Sequence, residues 1–203
     1  MKRRLDFYFE FASTYSYLSA MRIDALAEER GVEVHWRPVL LGPIFKRQGW
    51  GTSPFNLYPA KGAYMWRDLS RRAAKQGLPE ITRPDPFPQN SLLAARIATQ
   101  GTGEAWLPEF VRGLYHAQFA QGRSIGDRDL LVSLLNRLGL DSGALLDYAE
   151  HEPNVKDRLR KITEIAADRG LFGAPSFFTF DGELFWGDDR LEDALDWAVS
   201  IAR

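Results

Sequence analysis

Leu5-Asp6-Phe7-Tyr8-Phe9-Glu10-Phe11, followed at once by Ala12-Ser13-Thr14-Tyr15-Ser16-Tyr17-Leu18, is the passage from which the fold is read. The first seven residues are dense in aromatics, which suit the pleated, half-buried surface of a strand. Ser13 then stands where a helix wants a capping hydroxyl. Tyr15 to Arg30 carries Leu18, Met21, Leu26 and Ala27 at roughly helical spacing, and Gly31 stops that helix. Val32-Glu33-Val34-His35-Trp36 alternates before Pro38 and reads as a second strand. Strand, helix and strand in this order make a right-handed βαβ unit.

The far end of the chain returns to β structure. Ser176-Phe177-Phe178-Thr179-Phe180 reads as a strand, Asp181-Gly182 as a hairpin turn, and Glu183-Leu184-Phe185-Trp186 as its partner strand. Asp188 to Ala202 closes the chain as an amphipathic helix. Between the two ends, Leu40 to Pro59 is an irregular stretch rich in Gly and Pro. Its Phe45, Trp50, Phe55 and Tyr58 mark a functional loop rather than disorder. The remainder is mostly helical, with helices expected over 61–76, 90–100, 103–121, 127–138, 142–150 and 153–169, punctuated by Gly and Pro. The order βαβ, helices, ββα is that of an α/β, thioredoxin-like fold with a large all-helical insertion. Residues 1–60 and 171–203 form the thioredoxin-like domain, and 61–170 the helical insertion domain.

Composition narrows the function. The 203 residues carry a net charge of −1, which gives no electrostatic reason to expect nucleic acid or a membrane surface as a partner. No apolar run approaches a membrane span. Met1-Lys2-Arg3-Arg4 is basic like the start of a signal peptide, but Asp6 and Glu10 interrupt what would be its apolar region. The chain has no cysteine, which removes disulfides, thiolate metal sites and any dithiol oxidoreductase activity. That fits a reducing compartment, and a cytoplasmic location is expected. His35, His116 and His151 lack metal-ligand spacing, so no metal is expected. The mixed-sign runs Arg67–Arg72 and Lys156–Lys161 read as solvated helix faces.

Ser13 and Ser16 stand at the spacing of the two thiols in thioredoxin-like redox proteins. A turn built to hold a thiolate would here hold a thiol brought by a ligand, with Ser13 as hydrogen-bond donor. A thiol of pKa near ~8.5 is only a few per cent ionised at neutral pH. A charge-assisted hydrogen bond of roughly 1.5–3 kcal/mol and a helix dipole of roughly 0.3–1 kcal/mol are sufficient to make the thiolate dominant, with no separate base to store the proton. The plain alternative is that Ser13 caps a helix and does nothing else.

The opening segment resembles that of 2-hydroxychromene-2-carboxylate isomerases and kappa-class glutathione transferases. So do Gly170-Leu171-Phe172-Gly173-Ala174-Pro175-Ser176 and Phe185-Trp186-Gly187-Asp188-Asp189-Arg190-Leu191. Pro59-Ala60-Lys61-Gly62-Ala63-Tyr64-Met65 and Phe87-Pro88-Gln89-Asn90-Ser91 are similar to the family's middle signatures. The likeness runs along nearly the whole chain in order. Thr14 replaces the family's usual Pro, and Thr52 lies near the position of an Asn that contacts glutathione in kappa transferases.

The resemblance implies a glutathione-dependent isomerase that interconverts 2-hydroxychromene-2-carboxylate and trans-o-hydroxybenzylidenepyruvate, or a related aromatic keto acid, in the breakdown of polycyclic aromatics such as naphthalene. It implies that Ser13 bonds the glutathione sulfur and that Ala174, before a cis Pro175, presents its backbone to the cysteinyl part. It further implies that Asp189, with Asp188 or the nearby backbone, holds the γ-glutamyl ammonium, and that Lys61 lies near the glycyl carboxylate. For Pro175, the two aspartates and Lys61 the ordinary readings are a strand-start proline, helix capping and a solvated lysine. Lys46 and Asn90 are candidates to face the aromatic substrate, Lys46 with Phe45, Trp50 and Tyr58 around it. The sequence does not fix the oligomeric state; relatives are often dimers, and the aromatic content permits a homodimer. A kappa-like transferase that releases its conjugate, and a non-catalytic module that binds an extended peptide beside Pro175, remain the alternatives.

Overall fold

A computed structural model describes residues 3–202; the basic Met1-Lys2 pair and Arg203 lie outside them. Strand β1 (Arg4–Phe9) leads through a turn to helices α1 (Thr14–Ala20) and α2 (Ile23–Arg30), and then to strand β2 (Glu33–Pro38). The single helix expected over Tyr15–Arg30 is two. The chain bends at Arg22, whose backbone leaves helical geometry and whose guanidinium reaches Asp188 and Glu192 far along the sequence. Pro38 ends β2 on the last rung of an edge strand, where no ladder N–H is missed.

The stretch expected to be irregular holds two short helices, α3 (Leu41–Arg47) and α4 (Pro54–Leu57), before the long α5 (Pro59–Lys75). The prolines that suggested a loop instead start helices: Pro54 and Pro59 stand in first turns, where a backbone N–H is unneeded. Five further helices follow: α6 (Leu92–Gln100), α7 (Leu107–Phe119), α8 (Arg128–Arg137), α9 (Ser142–His151) and α10 (Pro153–Asp168). Strands β3 (Ser176–Thr179) and β4 (Leu184–Trp186) form the hairpin, with Gly182 at φ 93° in its turn. The closing helix α11 (Leu191–Ser200) begins three residues later than expected, after a 3₁₀ turn over Asp188–Arg190.

The four strands lie in the order β2-β1-β3-β4, with β1 parallel to β2 and the other pairs antiparallel. Alternation along β1 sends Leu5, Phe7 and Phe9 to one face and Asp6 and Tyr8 to the other. Phe7 is opposite both Trp36 and Phe177, with ring centroids 4.9 and 5.4 Å away. Tyr17 and Leu18 of α1, Phe110 and Leu114 of α7, and Leu191 and Leu195 of α11 join this face in one continuous buried cluster. The other face packs Tyr8 and Phe178 against Ile44 of α3 and Ala166 of α10. A buried Phe in such a cluster is worth about 3–5 kcal/mol on truncation to Ala, which makes β1 a rigid base for the turn that follows it. No helix among the described residues is long and apolar enough to cross a membrane.

Candidate active site

The β1–α1 turn opens onto a cavity of about 970 Å³, walled by the 41–55 segment, α5, the 87–92 segment, the 172–175 turn and residues 186–189. A neighbouring cavity of about 440 Å³ shares Phe55 and Phe87 with it and extends toward Trp66 and Arg83.

Ser13 sits at the start of α1 and lines the large cavity. Its Oγ accepts from the Ser16 N–H at 3.2 Å, so it caps the helix, and donates to the Ala174 carbonyl at 2.9 Å. The Ala174–Pro175 peptide is cis, and Ala174 and Pro175 both line the cavity. The Pro175 carbonyl is taken by the Gly187 N–H at 3.0 Å, which ties the proline turn to the Asp188–Asp189 turn.

The two aspartates have different surroundings. Asp188 is 1% exposed. Its Oδ1 accepts from Ser19 Oγ at 2.9 Å and Arg22 Nη2 at 3.1 Å, and its Oδ2 from Arg72 Nη2 at 2.6 Å. Asp189 has a side chain 55% exposed at the cavity edge, 3.6 Å from Arg190. Gly187, at φ 109°, permits this turn, and a Cβ there would meet Asp189 Oδ1 at 2.6 Å.

Lys61 and Asn90 also line the cavity. Lys61 is exposed, with its ammonium 5.9 Å from the Tyr58 ring centroid. The Asn90 side-chain oxygen accepts from the Leu92 N–H at 3.0 Å. Thr52 lies in the wall and accepts from the Asn56 amide at 3.2 Å. Lys46 is not brought to the site. It is exposed and outside the lining, because α3 turns Phe45 inward and carries the next residue about 100° round the helix. Tyr58, expected beside Lys46, is 55% exposed and also outside the wall, whereas Phe45 and Trp50 are in it.

Sequence reasoning missed three residues. Arg72 belongs to a mixed-sign run expected on a solvated face, but it is half-buried in the cavity wall and bound to Asp188. Tyr15 was read as a helix residue. Its hydroxyl donates to Asp68 Oδ2 at 3.0 Å in the same wall, and burial first, then that bond, raise its pKa. Glu10, expected only as a residue of the first strand, is 7% exposed and forms part of the cavity wall. Burial raises its carboxyl to about 7, against the lowering effect of hydrogen bonds from Ser91 and the Ala12 N–H. A lone acid among Phe7, Phe9 and Phe11 was the available signal for it.

The chain matches the DSBA-like thioredoxin domain family over residues 4–196. It is 33% identical to a 2-hydroxychromene-2-carboxylate isomerase of Sphingobium xenophagum, covering 95% of this chain and 96% of that one. It is 25% identical to glutathione S-transferase kappa 2 of Caenorhabditis elegans, over 97% of this chain and 92% of that one. A solved 2-hydroxychromene-2-carboxylate isomerase superposes with a TM-score of 0.87 at 26% identity, covering 98% of this chain and 96% of that one.

Proposed function

Since this chain belongs to the DSBA-like thioredoxin family, and within it to the 2-hydroxychromene-2-carboxylate isomerases, we propose that it is a glutathione-dependent isomerase. Its substrates would be 2-hydroxychromene-2-carboxylate and trans-o-hydroxybenzylidenepyruvate, or a related aromatic keto acid from the breakdown of compounds such as naphthalene. The observation that carries this reading is Ser13: a hydroxyl at the head of α1, in a cavity wall, bonded to the residue before a cis proline, in a chain with no thiol of its own.

The residues present fit the tripeptide. The cavity offers an exposed carboxylate at Asp189 for an ammonium, a cation at Lys61 for a carboxylate, and the backbone of Ala174. Glutathione supplies the thiolate that adds reversibly to the substrate's conjugated double bond, so that rotation about a single bond precedes its elimination. The Ser13 hydroxyl has one proton and two acceptors to choose from, and turning it from Ala174 to the sulfur frees the Ala174 carbonyl for a ligand N–H. Asp188, saturated by Ser19, Arg22 and Arg72, holds the turn that presents Asp189. Arg72 and Asn90 would face the keto acid, with Phe45, Trp50, Phe172 and Trp186 as apolar walls for its ring. Residues 1–60 and 171–203 thus bind most of the tripeptide, and the 61–170 insertion adds Lys61, Arg72 and Asn90. A cytoplasmic homodimer completes the proposal.

Incubation of the keto acid with and without glutathione tests this. Isomerised product with glutathione recovered unchanged is the expected result. Consumption of glutathione one for one with product assigns the transferase reaction, for which the kappa relative speaks. Neither outcome would leave peptide binding as the remaining reading.

A further inference from the structure

We infer that Glu10 is the proton store of this site: its carboxyl takes up a proton as a thiol held at Ser13 gives one up. The inference rests on the glutathione reading and deepens it, and it replaces the expectation from sequence that no separate base stores the proton. In the step, the S–H bond breaks with its electron pair left on sulfur, an O–H bond forms at Glu10, and the charge of the cavity is unchanged. Release of the thiol reverses it.

The placement supports this. Glu10 stands three residues before Ser13 and is bonded into the same turn. The Ser13 N–H donates to the Glu10 backbone carbonyl at 2.9 Å, and the Ala12 N–H donates to Glu10 Oε2 at 2.9 Å. Its other oxygen accepts from Ser91 Oγ, across the wall. Among the described residues no ion pair involves Glu10, in contrast to Asp188 with its two arginines. A carboxylate buried without a cation has its charged form disfavoured by desolvation, and a second anion beside it disfavours that form further. A thiolate beside a carboxylate that is itself buried therefore settles the conflict by sharing a proton.

The groups around Glu10 leave this balance intact. Tyr115 of α7 donates to the Glu10 carbonyl at 2.8 Å, and burial holds its pKa well above the ordinary value, so it stays neutral. The 87–92 segment brings the neutral Gln89, Asn90 and Ser91. Across the cavity, Arg72 is engaged with Asp188 and Asp68 with Tyr15, while Lys61 and Asp189, of opposite sign, are both exposed to solvent. Both protonation states of Glu10 satisfy their partners. As a carboxylate it accepts from Ser91; as an acid it donates to the Ser91 oxygen while Oε2 still accepts from Ala12. Burial already places the carboxyl near neutrality at about 7, so a modest push completes its protonation.

Calorimetric titration of glutathione in two buffers of different ionisation enthalpy, at about pH 7.5, tests the inference, because a thiol of ordinary pKa arrives with roughly 0.9 proton at that pH. The wild-type protein is expected to release close to none of it to buffer. Glu10→Gln, an isostere of the protonated acid, is expected to release nearly all of it. S-Methylglutathione, which has no thiol proton, is the control and is expected to release none with either protein. Equal release by wild type and variant overturns the inference while leaving the glutathione site standing. Absence of glutathione binding in both overturns the site and the inference together. Should Glu10→Gln not fold, an infrared difference between wild type with glutathione and with S-methylglutathione decides. A gained band of a protonated carboxyl is expected, and its absence overturns the inference.

Discussion

The Ser13 hydroxyl donates to the Ala174 carbonyl at 2.9 Å, joining the cap of α1 to the cis-proline turn 161 residues away. The same oxygen accepts from the Ser16 N–H, so the helix cap and the bond across the site meet on one atom. Ser13→Ala removes both and is expected to lower stability by about 1 kcal/mol, the usual worth of an N-cap. Urea unfolding checks this: the midpoint should fall with no change in slope.

Asp188 and Asp189 are adjacent but should behave oppositely. Asp188→Asn leaves Arg22 and Arg72 without their carboxylate, and the expected loss is about 2–4 kcal/mol, below the deepest buried pairs because both arginines reach solvent. Asp189→Asn should change stability by less than about 0.5 kcal/mol, as exposed substitutions do, while raising the KM for glutathione. Denaturant unfolding and steady-state kinetics on the two variants separate the supporting residue from the binding one.

Glu10 sets a pH dependence with a definite sign. Its folded pKa, at about 7, lies above the ordinary carboxyl value because of burial, so the native state holds this proton more tightly than the unfolded chain. The stability it contributes is full below the unfolded pKa of about 4.3 and is lost as pH rises through the folded value, by roughly 3 kcal/mol. Glu10→Gln removes the titration. Relative to the variant, wild type should therefore lose roughly 3 kcal/mol of stability between about pH 4.5 and pH 8, which unfolding curves across that range will show.

The wall between α4 and α5 depends on a close backbone approach at Gly62. A Cβ there would lie 2.3 Å from the Phe55 carbonyl oxygen, and backbone cannot swing aside as a side chain can. Gly62→Ala is expected to cost about 1–3 kcal/mol, as overpacking does. It should also raise the KM of the aromatic substrate, since Phe55 lines the cavity.

Lys46 and Lys61 were both candidates on sequence grounds, and the structure separates them. Lys61→Ala should weaken glutathione up to about fivefold, the scale of an exposed ion pair. Lys46→Ala should leave both substrates' KM values unchanged, because the residue is exposed and outside the cavity lining.

The contrast shows what local sequence carries. The β1 turn, Ser13, the β3–β4 hairpin and the acidic turn after Gly187 were legible, because each is set by residues within a few positions of one another. Arg72 was not: its partner Asp188 is 116 residues away, and the run around it has the mixed charge of an ordinary surface helix. Glu10 was hidden for a similar reason, since Ser91, 81 residues on, closes over it. The bend at Arg22 answers to Asp188 and Glu192 rather than to any helix-breaking residue nearby. Lys46 differs from expectation because the segment is helical: on α3 the residue after Phe45 lies about 100° round the axis, a separation that an irregular loop does not impose.

The most direct test of the proposed chemistry is an ultraviolet difference titration with glutathione near neutral pH, on wild type and Ser13→Ala. Loss of a charge-assisted hydrogen bond of roughly 1.5–3 kcal/mol should raise the bound thiol's pKa by about one to two units. The expected result is a thiolate band in wild type that weakens sharply in the variant. Glutathione bound with no thiolate band, or with an equal band in both proteins, would contradict the role assigned to Ser13.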